Sequence, residues 1–477
     1  MKQHFISNRW APPASGESIA VIDPSDGAVF DAIARGNAAD IDAAVRAARH
    51  AYDGAWGRLS AAERGRLLMK LSQTLQDHHE ELAQLEARDC GKPLRQARAD
   101  ATAIARYFEF YAGAADKLQG ATLPYQNGYT VLTLREPHGV TAHIVPWNYP
   151  MQIFGRCVGA ALAAGNSCVV KPAEDACLSL LRVAELAAEV GFPPGAINLV
   201  TGYGHEAGDH LVSHPGVDHI SFTGSPAIGK VVVRAAAEHH TPVTLELGGK
   251  SPQLVFDDAD FDAMLPVVVN AIVQNAGQTC SAGSRLLIQR SAYERVIEQV
   301  AAAFSQLRVG SAAMDLDCGP LIRQSQLERV AGFLADAAAS RIPLAAQGSI
   351  APGTPSGGFY QAPTLLRDVP FQHRLAQEEI FGPVLAAMPF DDEADAIRLA
   401  NSTPFGLVAS VWTRDGGRQM RVAKSVRSGQ VFINNYGAGG GVELPFGGVK
   451  ASGHGREKGF EALYGFTVLK TIAIKHD

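Results

Sequence analysis

The amino-acid sequence predicts an α/β protein with a doubly wound parallel sheet, a second α/β unit and a small β arm. The first observation is a regular alternation of apolar strand-like runs with amphipathic segments of helix length. Parallel strands need such crossovers, and short Gly- and Pro-rich junctions, as at residues 191–195, suit a doubly wound sheet. The second is Asn127-Gly128 within an alternating stretch, which favours a tight hairpin turn because both positions tolerate positive φ. The strand-like runs lie at residues 140–145, 168–171, 196–200, 219–222 and 243–247.

Two further regions flank this alternation. The first hundred residues are expected to be helical, with Asp40 as a candidate N-cap for segment 41–51 and a periodic apolar run over 61–88. A second α/β region begins near Lys250 and includes a predicted helix over residues 261–275. Its strand candidates lie at 251–256, 409–413 and 430–434, and a last strand-like run covers 466–474.

Composition narrows the class of protein. The chain has 477 residues, of which 47% are hydrophobic, so two or three folding units with large cores are expected. The formal net charge of -6 gives no electrostatic footprint for nucleic acid. Residues 1–10 are polar, and no apolar run approaches the roughly 20 residues that span a bilayer, so a cytoplasmic protein without a membrane partner is expected.

The six cysteines are scattered along the chain. They lack the short paired spacings of zinc sites and the density of a disulfide framework, so no metal is expected and most are interpreted as reduced and structural. The cysteines are Cys90, Cys157, Cys168, Cys177, Cys280 and Cys318.

Two glycine patterns resemble phosphate-binding motifs. Residues 202–207 match a loose dinucleotide fingerprint, which alone is as consistent with an ordinary turn. Residues 224–230 imitate a P-loop, but Val231 follows, where that motif needs a hydroxyl for magnesium. An NTPase is therefore excluded.

A set of short segments in a fixed order resembles the aldehyde dehydrogenase superfamily over nearly the whole chain. The resemblance implies NAD-dependent oxidation of an aldehyde to an acid. The segments are PWNYP at 146–150, KPAE at 171–174, FTGS at 222–225, ELGGK at 246–250, GQTC at 277–280, EEIFGP at 378–383 and PFGG at 445–448.

Three residues are candidates for the chemistry. Aldehyde oxidation first needs a nucleophile to make a tetrahedral adduct, and Cys280, in a polar Gly-flanked loop, fits that role and the family motif. Asn148 is the candidate donor to the adduct's oxyanion, although an Asn before Tyr149-Pro150 is also a common turn residue. Glu246, at the end of an apolar strand, is the candidate general base for thioester hydrolysis, with a structural ion pair as the alternative.

The resemblance also implies an NAD site. Glu174 accepts hydrogen bonds from ribose hydroxyls and repels a 2′-phosphate, which favours NAD over NADP, although Lys171 and Glu174 also suit a solvated helix start. The other implied roles are alternatively turn or packing positions. The candidate cofactor-binding residues are Pro146, Trp147, Lys171, Glu174, Gly204, Gly208, Phe222, Thr223, Gly224, Ser225, Leu247, Glu379 and Phe381.

The substrate is less well defined. Some semialdehyde and hydroxyaldehyde enzymes of the family also carry Arg at the position of Arg156. One interpretation is that Arg156 binds a substrate carboxylate or hydroxyl, and the alternative is a structural salt bridge. Gln274 stands where succinic semialdehyde enzymes can have a second Arg. The Gly-rich loop 436–441 predicts a wider pocket for a bulky or aromatic aldehyde. Candidate substrate residues are Tyr149, Arg156, Thr279 and Phe446.

The strand pattern and the resemblance together imply three units. These are an NAD-binding domain (1–117 and 138–248), a catalytic domain (249–449) and an oligomerisation arm (118–137 and 450–477). The exposed edge of the arm predicts a homodimer or homotetramer. The alternatives are a CoA-acylating semialdehyde dehydrogenase, against which Glu246 argues, and a non-catalytic structural or binding protein of the same fold.

Overall fold

The computed structural model describes residues 1–437 and 441–476. Its strands are β1 His4–Ile6, β2 Arg9–Ala11, β3 Ser18–Ile22, β4 Val29–Ala34, β5 Thr122–Leu123, β6 Tyr129–Pro137, β7 Val140–Val145, β8 Ser167–Pro172, β9 Ile197–Leu199, β10 His219–Thr223, β11 Val243–Glu246, β12 Pro252–Val255, β13 Arg285–Gln289, β14 Arg308–Val309, β15 Leu344–Gln347, β16 Ser349–Ile350, β17 Thr364–Leu366, β18 Val384–Phe390, β19 Val408–Trp412, β20 Gln430–Ile433, β21 Gly453–His454 and β22 Thr467–Lys475. Its α-helices are α1 Ala38–Asp53, α2 Ala61–Asp77, α3 His79–Cys90, α4 Leu94–Ala114, α5 Pro150–Ala164, α6 Leu178–Glu189, α7 Asp209–Val212, α8 Pro226–Ala237, α9 Phe261–Val273, α10 Tyr293–Gln306, α11 Gln324–Ala339, α12 Arg374–Gln377, α13 Glu393–Ala400, α14 Gly416–Ser425 and α15 Glu461–Gly465.

The first large sheet has eight strands in the order β2-β1-β9-β8-β7-β10-β11-β21. The five central strands, β9 to β11 in that order, are mutually parallel. They coincide with the five predicted runs, so the doubly wound α/β class is confirmed. The chain moves from β7 outward through β8 and β9 and then returns to the other side of β7 with β10. This reversal creates a crevice at the carboxyl ends of β7 and β10.

The second sheet has seven strands in the order β15-β17-β18-β13-β12-β19-β20, and only β15 runs antiparallel to its neighbour. The expected strands at 251–256, 409–413 and 430–434 correspond to β12, β19 and β20. The expected helix at 261–275 is α9, which ends at Val273 and gives way to a left-handed turn.

The arm is an antiparallel sheet in the order β22-β6-β5, with nine residue pairs between β22 and β6. The Asn-Gly turn is present, since the Tyr129 amide donates to the Gln126 carbonyl at 3.3 Å. Gly128 has φ +80°, but Asn127 does not adopt positive φ. The predicted turn is therefore present, with Gly128 at positive φ, in a loop over residues 124–128 between β5 and β6.

The N-terminal prediction needs three corrections. Four strands, β1 to β4, precede the first helix, and the alternating burial of Ile19 and Val21 is the signal for β3. The N-cap of α1 is Asn37, whose side chain accepts from the Ala39 amide at 2.9 Å. Asp40 instead accepts from the Asn37 amide at 3.0 Å, as the third residue of a capping box. The run over 61–88 is two helices, α2 and α3, separated at His78.

Helix α5 connects the first sheet to the rest of the core and is almost wholly buried. Gly155 and Gly159 face helix α4, where a Cβ on either would lie 3.0 Å from the ring of Tyr107 or Tyr111. This close approach fixes α5, and with it the loop that precedes the helix. Among the described residues, no helix is long and apolar enough to cross a membrane.

Candidate active site

The loop between β7 and α5 holds Asn148. Pro150 occupies the first turn of α5, where its missing N–H is not needed. The Asn148 side-chain amide donates to the Gln278 backbone carbonyl at 3.0 Å. The backbone carbonyl of Asn148 accepts from Asn275 Nδ2 at 2.9 Å. Asn148 is buried, so these bonds fix it against the loop that carries Cys280.

The nucleophile loop begins with a left-handed turn after α9. Asn275, Ala276 and Gly277 have φ of 49°, 52° and 73°, a conformation that costs free energy for residues with a Cβ. At Gly277 a Cβ would lie 2.2 Å from the Gly382 carbonyl oxygen, so glycine is required there. The turn is held by Gln278, whose Oε1 accepts from the Ile322 amide at 2.9 Å. This strained turn places Cys280 at the wall of a cavity.

Cys280 differs from the other five cysteines, which are buried, in being partly exposed; all six are free thiols. Burial raises the pKa of Cys280 to about 12, and the positive charge of Arg156 only partly opposes this. A thiol with a raised pKa needs a proton acceptor before it can act as a nucleophile.

Glu246 is the last residue of β11 and is buried. Neither carboxyl oxygen has a hydrogen-bond partner among the described residues, which is costly for a buried polar group. Burial raises its pKa well above the ordinary value, the charge of Glu457 raises it further, and Arg156 opposes both. Glu246 lies next to Gly447, where a Cβ would approach its Oε1 to 2.8 Å. It is not part of the lining of the Cys280 cavity.

Arg156 forms a structural salt bridge, which was the alternative to a substrate-binding role. Its Nε contacts Glu457 Oε2, and both side chains are buried. The second Glu457 oxygen accepts from Ser221 Oγ at 2.9 Å. The guanidinium also lies 4.9 Å from the centre of the Phe446 ring and lines the cavity. Arg156 therefore faces the cavity with its charge already opposed by Glu457.

The cavity has a volume of about 1180 Å³, and all the predicted substrate residues line it. The Tyr149 hydroxyl lies 3.0 Å from Thr279 Oγ1 and accepts from Gln274 Nε2 at 2.8 Å. The Tyr436 hydroxyl donates to the Ser281 carbonyl at 2.5 Å. Of the Gly-rich loop, residues 438–440 lie outside the described part of the chain, so the wider pocket expected there stays a prediction.

Sequence reasoning missed several cavity residues, among them Tyr107 and Lys458. Lys458 is buried and adopts φ +63°. Burial, followed by the charge of Arg156, lowers the pKa of Lys458 to about 8. The available sequence signal was that Lys458 directly follows Glu457 and lies a short distance after the PFGG segment, which contains Phe446.

The predicted cofactor residues gather at one edge of the first sheet. Strands β8, β7, β10 and β11 are adjacent and parallel, so the residues at and after their carboxyl ends lie side by side. Gly204 and Gly208 lie in the helical turn after β9. A Cβ on Gly204 would meet nothing within 4 Å, and one on Gly208 would lie 3.8 Å from Lys171 Cδ. The residues brought to this edge are Pro146, Trp147, Lys171, Glu174, Phe222, Thr223, Gly224, Ser225 and Leu247.

The polar groups at this edge are arranged for a ligand with hydroxyl and anionic groups. Lys171 Nζ donates to Glu174 Oε2 at 2.9 Å, and Glu174 keeps 24% of its side chain exposed. Ser225 is the N-cap of α8 and accepts from the Ile228 amide at 3.4 Å. The first turn of this 12-residue helix therefore lies at the carboxyl edge of the sheet, where helix amides favour an anion.

Glu379 and Phe381 reach the same region from the second sheet's side. Glu379 Oε1 accepts from the Gly249 amide at 3.0 Å, and burial raises the pKa of Glu379 to about 7. Phe381, at φ +61°, meets the Trp147 ring edge to face at 5.3 Å. A Cβ on Gly248 would lie 2.2 Å from Glu379 Oε2, so a larger residue there would displace the Glu379 carboxyl group.

Comparison with known proteins identifies the family of the chain. A family model described as the aldehyde dehydrogenase family matches residues 10–472. The chain is 41% identical to hydroxyisobutyraldehyde dehydrogenase of Mycolicibacterium austroafricanum over 98% of this chain and 93% of that one. A crystal structure of a candidate aldehyde dehydrogenase from Burkholderia cenocepacia matches with a TM-score of 0.99 and 71% identity, covering 100% of both chains. Betaine aldehyde dehydrogenase of Staphylococcus aureus, solved with NAD+, matches at 0.97 and 35% identity over 100% and 95%.

An α/β fold with a cysteine and an amide facing one cavity, beside a dinucleotide-type crevice, is the arrangement of an aldehyde-oxidising enzyme. The chain belongs to the aldehyde dehydrogenase family.

Proposed function

We propose that this enzyme oxidises an aldehyde to a carboxylic acid with NAD through a thioester on Cys280. The observation that carries the proposal is the pairing of Cys280 with Asn148. They come from different sheets, face one cavity, and are joined by the bond from the Asn148 amide to the Gln278 carbonyl. A nucleophile and a fixed amide donor in one cavity are what covalent aldehyde chemistry needs.

In the first step the Cys280 sulfur bonds to the aldehyde carbon. The thiol proton passes to a water molecule, and the carbonyl oxygen becomes an oxyanion that Asn148 stabilises through its free N–H. Because the pKa of Cys280 is about 12, this proton transfer is a real barrier at neutral pH. When bound, NAD accepts the hydride that leaves the adduct carbon, and a thioester remains on Cys280.

In the second step water attacks the thioester carbon, the carbon–sulfur bond breaks, and the acid departs as the thiol is restored. Glu246 takes the proton from that water. Its unpaired, desolvated carboxyl suits a base better than a structural ion pair, because no cation pairs directly with it among the described residues. The role requires its side chain to turn toward the cavity, where Arg156 already lies.

The residues at the sheet edge fit NAD. Glu174 and Lys171 would meet the adenosine ribose, Ser225 and the α8 amides the pyrophosphate, and Glu379 with Phe381 the nicotinamide end. A partly exposed carboxylate at Glu174 favours ribose hydroxyls over a 2′-phosphate.

The test follows NADH at 340 nm with a panel of aldehydes, together with intact-mass measurement of the enzyme. Glu246→Gln is expected to accumulate an acyl adduct on Cys280, and Cys280→Ala is expected to form neither adduct nor NADH. Normal turnover by Cys280→Ala would refute the covalent pathway. The CoA-acylating alternative would instead show turnover that depends on CoA and is unaffected by Glu246→Gln.

For the substrate, we propose an aldehyde that carries a carboxylate at its far end. The cavity wall holds three cations, Arg95, Arg156 and Lys458. Arg156 contacts the buried Glu457, and Arg95 Nη2 lies 3.8 Å from Asp317 Oδ1. Since Arg156 is engaged by Glu457, Lys458 is the cation without an ion-pair partner among residues 1–437 and 441–476. Tyr107 and Phe446 supply aromatic walls for the body of the substrate.

The substrate test compares kcat/KM for a carboxylate-ended aldehyde and its methyl ester. Lys458→Met should reduce the preference for the carboxylate about tenfold, the value of one charge-assisted hydrogen bond. Lys424→Met, an exposed lysine on α14, is the matched control. Equal losses on acid and ester, or an original preference for neutral aromatic aldehydes, would refute the proposal.

For the assembly, we propose that the exposed edge of β22 pairs with a second copy of the chain. Leu469 is 56% exposed on this edge strand, and Val468 and Ile474 are also exposed. An uncovered apolar edge invites strand pairing.

A further inference from the structure

A buried cluster of charges lies behind the Asn148 loop and has no role in the chemistry above. Lys92 Nζ donates to Glu86 Oε1 at 3.0 Å and to Asp100 Oδ2 at 2.5 Å. All three residues are at most 2% exposed. Burial raises the pKa of Glu86 to about 8 against the opposing charge of Lys92.

The cluster holds the loop at several points. Lys92 Nζ donates a third bond to the Asn148 carbonyl at 3.0 Å and lies 4.4 Å from the centre of the Tyr149 ring. Glu86 Oε2 accepts from the Met151 amide at 3.1 Å, in the first turn of α5. Asp100 accepts from the Gln152 side chain at 2.5 Å.

A neighbour of Lys92 holds the preceding residue of the same loop. Cys90 Sγ donates to the Trp147 carbonyl at 3.1 Å. Cys90 and Lys92 thus bind two successive backbone carbonyls, those of Trp147 and Asn148. Because these hydrogen bonds are made to backbone carbonyls, they set the position of Asn148 whatever its side chain contacts.

Stability alone gives a weak reason for such a cluster. Buried ion pairs stabilise a fold little or not at all compared with well-packed apolar residues of the same volume, because the charges must be desolvated. Their clearest use is to select one arrangement of the chain. Here the selected arrangement is that of the loop between β7 and α5.

We propose that Lys92 is a positioning residue for the oxyanion site, fixing the Asn148 backbone so that its side-chain amide points at the developing charge. The proposal rests on the proposed role of Asn148. Displacing a catalytic group by about 1 Å costs on the order of 100-fold in rate. Lys92 acts only through Asn148, so its effect should disappear when that amide is absent.

The test is a double-mutant cycle on the rate constant of the first NADH turnover, measured by stopped flow with saturating NAD and aldehyde. Asn148→Ala is expected to lose about 100-fold or more, and Lys92→Met at least about tenfold. Lys92→Met in the Asn148→Ala background should add less than about twofold.

The outcomes separate the two proposals. No effect of Asn148→Ala would remove Asn148 from the oxyanion role and Lys92 with it. A loss in Asn148→Ala with multiplicative losses in the double variant would leave Asn148 in place and overturn the role of Lys92. Lys424→Met, at an exposed lysine of α14, controls for loss of a lysine as such.

A variant with an uncharged cluster is the control for effects on folding. Lys92→Met unpairs two buried carboxyls, so Lys92→Met/Glu86→Gln/Asp100→Asn is made in parallel, which removes all three charges at nearly constant volume. It should melt cooperatively near the wild-type temperature and still lose at least about tenfold in the first turnover. A wild-type rate in this variant would also overturn the proposal.

Discussion

Replacing Glu246 by Gln should separate the two halves of the reaction. The first half needs Cys280 and Asn148, whereas the second needs a base for water. We therefore expect a burst of NADH near one per active site, followed by a steady rate about 100 to 10,000 times slower than wild type, the usual contribution of general base catalysis. Stopped-flow absorbance at 340 nm measures both phases.

The same variant should show a pH-dependent change in stability. Glu246 has its folded pKa raised above the unfolded value, so it binds a proton more tightly in the folded protein. Ionised Glu246 therefore destabilises the fold, and this cost is absent below the unfolded pKa of about 4.5 and grows as the pH rises toward the folded pKa. Gln carries no such cost, so the melting temperature of Glu246→Gln minus that of wild type should increase from pH 5 to pH 8.

Glu298→Gln is the matched control, because Glu298 is exposed on α10 and should change neither the kinetics nor this difference. The reasoning is refuted if Glu246→Gln has a wild-type steady rate. A melting difference that is flat with pH would show that the Glu246 carboxylate is not held desolvated in the folded protein.

Three further predictions concern the cofactor, the nucleophile turn and the assembly. Wild type should have a higher kcat/KM with NAD than with NADP, and Glu174→Gln should narrow that ratio about tenfold; an original preference for NADP would contradict the assignment. Gly277→Ala, which places a Cβ 2.2 Å from the Gly382 carbonyl oxygen at φ +73°, should lower the free energy of unfolding by about 2 to 4 kcal/mol and slow acylation; a neutral effect in denaturant melts would show that the turn is not strained. Leu469→Lys should shift the protein to a smaller species in size-exclusion chromatography with light scattering, and an unchanged mass would exclude β22 as the contact.

The sequence was sufficient where a signal is local. The five runs of the first sheet have a period and a length that only buried parallel strands fit, and they coincide with β7 to β11. The candidates Cys280 and Asn148 follow from motif and chemistry, and the structure brings them to one cavity. Whether the 13 cofactor residues bind NAD stays a prediction, although most lie at one sheet edge.

It was insufficient where partners are distant in the chain. The Arg156–Glu457 contact and the Lys92–Asn148 bond join segments that no pattern connects. A weak signal existed for the buried cluster, because Glu86 falls on the apolar stripe of α3 between Ala83 and Ala87. A charge on such a stripe indicates a buried partner but not its identity.

The N-terminal strands were missed for a different reason. β1 and β2 have three residues each, too short for a period to show, and they become strands only because β9 offers an open edge beside β1. Strand formation there is decided by tertiary pairing rather than by local preference.

The short bond from the Asn148 amide to the Gln278 carbonyl crosses from one half of the molecule to the other. Each half has its own hydrophobic core, and we expect the contact between the halves to loosen before either core unfolds. Turnover would then fade on warming before either core melts, because separating the halves by even an ångström parts the sulfur from the group that stabilises its product.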